Sequence, residues 1–155
     1  MKKGSLIILI SISIFFIFFL VNKELHKKKT YDFYYTNLLA KNLTFYEDAD
    51  IKALNINFYK TKELSEDDID TIKDFMKKIS QNSFSKKPVD LPESPVYKLF
   101  FTFDNGEKYV INVYSSKYIS VFPWDGDLSM DYANMSNVPT RYNIYNLCKY
   151  IFESR

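Results

Sequence analysis

The chain has 155 residues, which is the length of one ordinary domain. Residues 1–29 carry six Lys and one Glu, whereas residues 30–155 carry fifteen Lys and Arg against eighteen Asp and Glu, a net charge of −3. This balance excludes nucleic-acid binding on electrostatic grounds, and the single Cys excludes an internal disulfide, so a hydrophobic core must hold the fold.

The N-terminal segment differs in composition from the rest of the chain. From Leu6 to Val21 every residue is apolar except two serines. A helix of this length spans about 24 Å, and the lysines on either side can reach the head groups of a bilayer. We therefore expect residues 1–5 to be a short tail, 6–21 a transmembrane anchor in contact with the lipid bilayer, and 22–48 a partly helical juxtamembrane stem.

Two other interpretations of the apolar segment lack the residues that they require. A cleaved secretory signal needs small residues directly after the apolar run, where this chain has VNKELHKKK. A lipoprotein needs a Cys at that point, and the one Cys of the chain is Cys148. An uncleaved signal-anchor therefore fits the sequence best.

The charges beside the anchor bear on its orientation. Counted plainly, the lysines after the segment would keep the C-terminal domain in the cytoplasm. A five-residue tail with two Lys ahead of an apolar run is, however, the usual layout of a bacterial signal-anchor. We expect a single-pass protein of the cell membrane with its C-terminal domain outside and its HKKK stretch at anionic head groups.

Three elements are predicted between the anchor and residue 80. Residues 31–42 repeat tyrosine and leucine at helical spacing, which predicts a helix in the stem. Leu54, Ile56 and Phe58 alternate with polar residues, which predicts a strand with these three side chains inside. LSEDDIDTIKDFMKKIS predicts a helix with Ser65 as its N-cap, acids in its first turn and lysines in its last.

The next stretch, VYKLFFTFDNGEKYVINVYSSKYISVFPW, predicts a three-stranded antiparallel meander. A two-residue Asn105-Gly106 loop would mix apolar and polar side chains on each face. A three-residue loop with Gly106 in the left-handed conformation makes one face wholly apolar or aromatic, so we choose that register. This loop predicts the pairs Phe101–Tyr109, Leu99–Ile111 and Tyr97–Val113. A second loop, Ser115-Ser116-Lys117, predicts the pairs Ile119–Val113 and Val121–Ile111.

A closing helix over about residues 140–152, with Pro139 near its first turn, completes the chain. Its predicted buried stripe consists of Ile144, Leu147, Cys148 and Ile151. The predicted fold class is α+β: an N-terminal transmembrane helix, followed in residues 49–155 by an antiparallel sheet of about four strands packed against two helices.

The stretch FPWDGDLSMDY alternates Asp125, Asp127, Ser129 and Asp131 as a calcium loop does. An EF-hand loop also requires Gly at its sixth position and Glu at its twelfth, where this chain has Met and Ser. We therefore interpret the stretch as a turn followed by a solvated connector, and we expect no metal site.

Residues for enzyme chemistry are scarce. His26 is the single histidine and lies beside the predicted anchor, Cys148 falls on a buried stripe, and no glycine-rich loop is present. We expect no catalytic residues and no cofactor. A carboxylate pair for hydrolysis stays open as a remote alternative, because eighteen acids make some pair inevitable.

The face of the meander that points away from the core is the candidate binding surface. Aromatic residues among small polar groups are typical of surfaces that recognise proteins or sugars. The alternative is that the stem helix or the connector over residues 80–95 covers this face. The residues of the candidate surface are Phe100, Val110, Tyr114, Tyr118, Phe122 and Trp124.

From about Ile51 to Phe152, the order of one strand, an SEDDI-type helix, a proline-bearing connector, an FTFDNGEKYVINV hairpin and a closing helix resembles a known group of proteins. These are small uncharacterised ectodomains that low-GC Gram-positive bacteria tether to the membrane, many as lipoproteins. The chain departs from the lipoprotein members because it lacks their Cys. The resemblance implies a location and a general fold, and no site residues.

Three functions follow as hypotheses from these observations. The first is a non-enzymatic module, anchored in the membrane, that binds another envelope or membrane protein through the aromatic face. The second is a ligand-binding or sensory domain for a cell-wall glycan or peptide. The third is a carboxylate-based hydrolase.

Overall fold

A computed structural model describes residues 12–16, 29, 31–46, 49–125 and 129–154. The chain forms two compact units, residues 1–30 and residues 31–155. In the first unit residues 12–16 are helical. The rest of the predicted anchor, residues 6–11 and 17–21, lies outside the described residues, as do the tail at 1–5 and His26.

The structure corrects the predicted fold class. We expected about four strands and two helices after an N-terminal transmembrane helix. In its described part, the second unit instead forms one sheet of seven strands with three α-helices. None of the described helices is long and apolar enough to cross a membrane.

The seven strands are antiparallel to their neighbours and lie in the order β2-β1-β4-β5-β6-β7-β3. Their bounds are Asp50–Asn55 for β1, Lys60–Glu63 for β2, Phe84–Ser85 for β3, Tyr97–Thr102 for β4, Lys108–Val113 for β5, Tyr118–Pro123 for β6 and Asp131–Asn134 for β7. The three strands missing from the prediction, β2, β3 and β7, are the short ones, of four, two and four residues.

The first strand was predicted with the wrong face inside. We expected Leu54, Ile56 and Phe58 to be buried, but β1 ends at residue 55 and buries Ile51, Ala53 and Asn55 instead. Phe58 lies in the exposed turn after β1. Since side chains alternate along a strand, a one-residue error in phase exchanges its two faces.

The predicted register of the meander is confirmed. Phe101 pairs with Tyr109 and Leu99 with Ile111 across β4 and β5, and all the other predicted pairs also occur. Gly106 has a φ of +82°, which is the left-handed conformation that the three-residue loop requires.

Two of the three helices begin at caps that neighbouring residues supply. Their bounds are Tyr34–Phe45 for α1, Glu66–Lys78 for α2 and Ile144–Glu153 for α3. The predicted N-cap of α2 is confirmed, and Ser65 and Asp68 form a reciprocal capping box. The four predicted buried residues of α3 are also confirmed, although a short 3-10 turn, Thr140–Tyr142, precedes the helix and Asn143 caps it.

The hydrophobic core lies between one face of the sheet and all three helices. Leu99, Ile111 and Val121 of the sheet belong to the same buried cluster as Leu39 of α1 and Phe75 of α2. The helix that we had assigned to a stem therefore packs within the domain. The opposite face of the sheet, which we call the outer face, carries no helix in the part of the chain that the structure describes.

Candidate functional site

The register places the predicted aromatic residues together on the outer face. Val110 at the centre of β5 pairs with Phe100 of β4 on one side and Phe122 of β6 on the other. Because alternate residues of a strand share a face, Tyr114 and Tyr118 lie on this face too. Trp124 joins them, since its ring centroid lies 5.3 Å from that of Phe100.

These six residues differ in exposure. Val110, Tyr114 and Tyr118 are buried, and Phe100 and Phe122 are half-buried. Trp124 is 60% exposed, and its backbone amide donates a hydrogen bond to the carbonyl of Lys108 (2.9 Å), which holds the strand beneath it. The accessible residues of this set, Phe100, Phe122 and Trp124, therefore form an aromatic patch.

A row of polar residues lies beside the aromatic patch. Lys98, Asn112, Ser120 and Tyr132 follow one another across β4, β5, β6 and β7. The amide nitrogen of Asn112 donates to Ser120 Oγ at 3.2 Å. Asn112 Oδ1, although buried, has no hydrogen-bond partner within the described residues, which leaves one acceptor in this row unused.

Tyr132 closes the polar row on the side of β7. Its hydroxyl lies 3.7 Å from Met130 Sδ, and Met130 Sδ lies 3.6 Å from Ser120 Oγ. Burial raises the pKa of the Tyr132 phenol, with a smaller contribution from the neighbouring Tyr114. Tyr132 therefore keeps its proton and can donate or accept a hydrogen bond.

The connector between β3 and β4 binds the other end of the outer face. Asp90 accepts hydrogen bonds from the Tyr118 hydroxyl (2.7 Å) and from Lys117 Nζ (2.9 Å). These bonds, from Lys117 first and Tyr118 second, hold the pKa of the Asp90 carboxyl below its ordinary range. Tyr114 and Tyr118 thus belong to a covered end of the face, and the aromatic patch belongs to its open end.

The acidic stretch that resembles a calcium loop has a structural role in its described residues. Asp131 is fully buried on β7 and accepts a hydrogen bond from the Thr36 backbone amide in the first turn of α1 (2.7 Å). The hydroxyls of Ser129 and Tyr35 are 2.8 Å apart. Our interpretation of this stretch as a solvated connector is wrong at Asp131, because its carboxylate caps a helix that itself has no side-chain cap.

The other end of α1 is tied to the meander. Asn42 donates a side-chain hydrogen bond to Glu107 Oε2, and the Tyr109 hydroxyl donates to the same oxygen at 2.9 Å. Burial and the bond to Glu107 raise the pKa of the Tyr109 phenol. Because both ends of α1 are bound to the sheet, the helix layer fixes the strands that carry the outer face.

The described residues show the state of the single thiol and of the possible metal ligands. Cys148 is buried, and burial raises the pKa of its thiol to about 12, so it stays protonated and inert. Within the described ranges, no three His, Cys, Asp or Glu side chains are close enough to hold a metal ion. Asp127 lies outside those ranges.

Sequence reasoning missed Tyr132 and Met130, because it did not predict β7. The strand buries Asp131 and Ala133 and points Tyr132 outward. A buried Asp and a small Ala hide the apolar alternation that usually identifies a half-buried strand. The alternation of Ala133 with Met135, which is also buried, was the available signal.

The fold and the outer face define a class of two-layer α+β domain with an aromatic patch on its helix-free side. Residues 29–148 match the family described as "Domain of unknown function (DUF4883)", and the chain belongs to this family. The resemblance to a group of uncharacterised domains is confirmed at that level.

One solved structure is similar in both fold and sequence. It is the crystal structure of a Clostridium perfringens protein named "Putative Lipoprotein", with a TM-score of 0.71 and 29% sequence identity. The match covers 81% of this chain and 98% of that chain. No curated protein matches the chain in sequence.

Proposed function

We propose that this protein is a non-enzymatic interaction domain of the cell envelope, located outside the cytoplasm, which binds another envelope protein through the aromatic patch. The location is supported by the 29% identity with the Clostridium perfringens protein, whose name contains the word lipoprotein. The binding of a partner protein is supported by the residues of the outer face.

The observation that carries the proposal is the exposure of Trp124 on a helix-free sheet face. Trp124 is 60% exposed and lies against Phe100 beside the half-buried Phe122. Tryptophan is enriched at the centres of protein interfaces, where it buries a large area at low cost in side-chain entropy. The half-buried Lys98 and Tyr132 supply the polar groups that such interfaces have around their aromatic residues.

The second candidate is binding of a cell-wall glycan or peptide, and it is favoured by one observation. Asn112 Oδ1 lacks a hydrogen-bond partner within the described residues and lies next to Ser120 on the outer face. A hydroxyl of a ligand can supply that bond only if neighbouring side chains move, because Asn112 is buried. Trp124 is the single tryptophan, so its emission separates the candidates: soluble wall fragments shift it only under the second one.

Site-specific photo-crosslinking in living cells tests the proposal. A photoreactive amino acid replaces Lys108, which is exposed on the outer face next to Trp124, and a control replaces Asp70 on the exposed side of α2. We expect a discrete protein adduct from position 108 and none from position 70. Trp124→Ser should reduce the adduct at least several-fold, because truncating a central interface tryptophan costs about 2 kcal/mol or more of binding.

Trp124→Ser changes an exposed side chain, so the melting temperature should stay close to that of the parent protein. An adduct of equal yield in the Trp124→Ser variant would contradict the aromatic patch as the binding site. Absence of any protein adduct at position 108, together with an emission shift on addition of wall fragments, would favour the glycan or peptide candidate instead.

A further inference from the structure

The hairpin of β1 and β2 ends in two exposed aromatic side chains. Phe58 is 71% exposed and Tyr59 is 86% exposed. Within the described residues, neither ring has an aromatic, hydrogen-bond or cation–π partner. Adjacent aromatic residues with this exposure leave apolar area in contact with water, which is unfavourable unless something covers it.

The backbone at the tip holds both rings in this position at a cost. Tyr59 has a φ of +50°, and among the described residues it is the one non-glycine residue with a positive φ. A bulky side chain is disfavoured in this left-handed conformation, where Gly or Asn fits better. Two hydrogen bonds hold the residues that precede the tip. The Asn57 amide donates to Asn55 Oδ1 (3.1 Å), and the Ile56 amide donates to the Val96 carbonyl (3.0 Å).

The charge of the hairpin is opposite to that of the domain. Residues 30–155 have a net charge of −3, but the hairpin over residues 50–63 carries three lysines and two acids, a net charge of +1. The nearest acids, Asp50 and Glu63, stand at the base of the hairpin, where Asp50 pairs with Lys52 at 2.8 Å. Lys60, directly after the aromatic tip, is exposed.

We infer that the tip of this hairpin binds the surface of an anionic lipid bilayer. Phe58 and Tyr59 would enter the interfacial region, where aromatic rings are most favourable, and Lys60 would contact the lipid phosphates. Each lysine close to an anionic surface adds to the attraction, which salt screens. The inference is independent of the aromatic patch and of the partner proposed for it.

A fluorophore placed at the tip tests this inference in the full-length chain. Asn57→Cys takes a polarity-sensitive thiol dye selectively, because the parent Cys148 is buried and protonated. A control carries the dye at Asp70→Cys on α2. We expect the emission at position 57 to shift to the blue with vesicles of phosphatidylcholine and phosphatidylglycerol in equal amounts, and the emission at position 70 to stay unchanged.

Residues 1–30 are the same in every labelled protein, so lipid binding by that segment affects all of them alike. The shift at position 57 should be several-fold smaller with pure phosphatidylcholine, at high salt, and in a Phe58→Ser/Tyr59→Ser variant. An unshifted emission with the mixed vesicles, or an equal shift in the double variant, would overturn the inference.

A glycine at position 59 separates membrane binding from folding. Tyr59→Gly relieves the left-handed strain while removing one ring. We expect its melting temperature to equal or exceed that of the parent, and its dye shift with the mixed vesicles to be several-fold weaker. A Tyr59→Gly protein that melts lower and keeps the full shift would assign Tyr59 to structure and contradict the inference.

Discussion

At the scale of single residues, a carboxylate that resembles a metal ligand in the sequence acts as a helix cap in the structure. Asp131 is buried on β7, and its Oδ2 accepts a hydrogen bond from the Thr36 amide. An amide in the first turn of a helix has no partner within the helix, and a carboxylate there also lies at the positive end of the helix dipole. One side chain thus fastens α1 to the sheet.

Asp131→Ala should reduce the free energy of unfolding by about 2 kcal/mol, because the Thr36 amide then stays buried without a partner. Asp131→Asn retains a side-chain acceptor and should lose less. Urea denaturation followed by far-UV circular dichroism measures both. Asp70→Ala is the control, because Asp70 is exposed and its Oδ1 lies 3.8 Å from Lys73 Nζ. The free energy of unfolding of this variant should stay within about 0.5 kcal/mol of the parent value.

Equal unfolding midpoints for Asp131→Ala and Asp70→Ala would contradict the capping role of Asp131. An equal loss in Asp131→Asn and Asp131→Ala would show that the charge of the carboxylate, which both variants remove, stabilises the fold rather than the hydrogen bond that Asn can still accept.

At the scale of elements, the sequence predicts the meander because two independent signals agree there. The DNG turn predicts a short loop, and the requirement that the apolar side chains lie on one face selects between the possible registers. Gly106 adopts the left-handed conformation that the chosen register needs. The predicted pairs of β4 and β5 follow from that single turn.

Gly106→Ala should destabilise the domain by about 1 kcal/mol, because an alanine resists the left-handed conformation. A Cβ at this position would have no atom within 4 Å, so the backbone conformation alone would cause the loss. Gly106→Asn should lose less, since Asn tolerates this region better. Thermal unfolding of the three proteins measures the order, and an unchanged stability in Gly106→Ala would contradict the role of the turn.

Strand β1 shows that local sequence signals can predict the wrong face. The alternation of Leu54, Ile56 and Phe58 indicates a buried face, but β1 buries the opposite set, because pairing with β4 places Ala53 beside Leu99 in the core. Phe58 then lies at the tip of the turn. Local periodicity cannot reveal this choice, since it depends on which strand β1 joins far along the chain.

The sequence predicts which residues share the outer face, but it does not predict which of them are exposed. The alternation along β4, β5 and β6 is sufficient to place Phe100, Val110 and Phe122 on one face. The alternation does not predict the burial of Tyr118, because that burial depends on Asp90 of the connector, which accepts a hydrogen bond from the Tyr118 hydroxyl. Trp124 keeps its exposure because it follows the end of β6.

At the scale of the whole molecule, the two faces of the sheet in the second unit differ in what packs on them. All three helices and the hydrophobic core occupy one face, and the bonds at Asp131 and Glu107 fasten α1 at both ends. The outer face, free of helices in the described residues, carries the aromatic patch. In our account the helix side stabilises the domain, and the outer face binds the partner outside the cell.

Labelling of engineered cysteines on intact cells tests this account most directly. Lys108→Cys places a thiol on the outer face, Asp70→Cys places one on α2, and the buried Cys148 gives no background. With a membrane-impermeant maleimide, both thiols should react rapidly in the purified protein. On intact cells Asp70→Cys should react at a similar rate and Lys108→Cys at least several-fold more slowly, because a partner covers the outer face. Equal rates on cells, or no reaction at either position until the cells are lysed, would contradict the account.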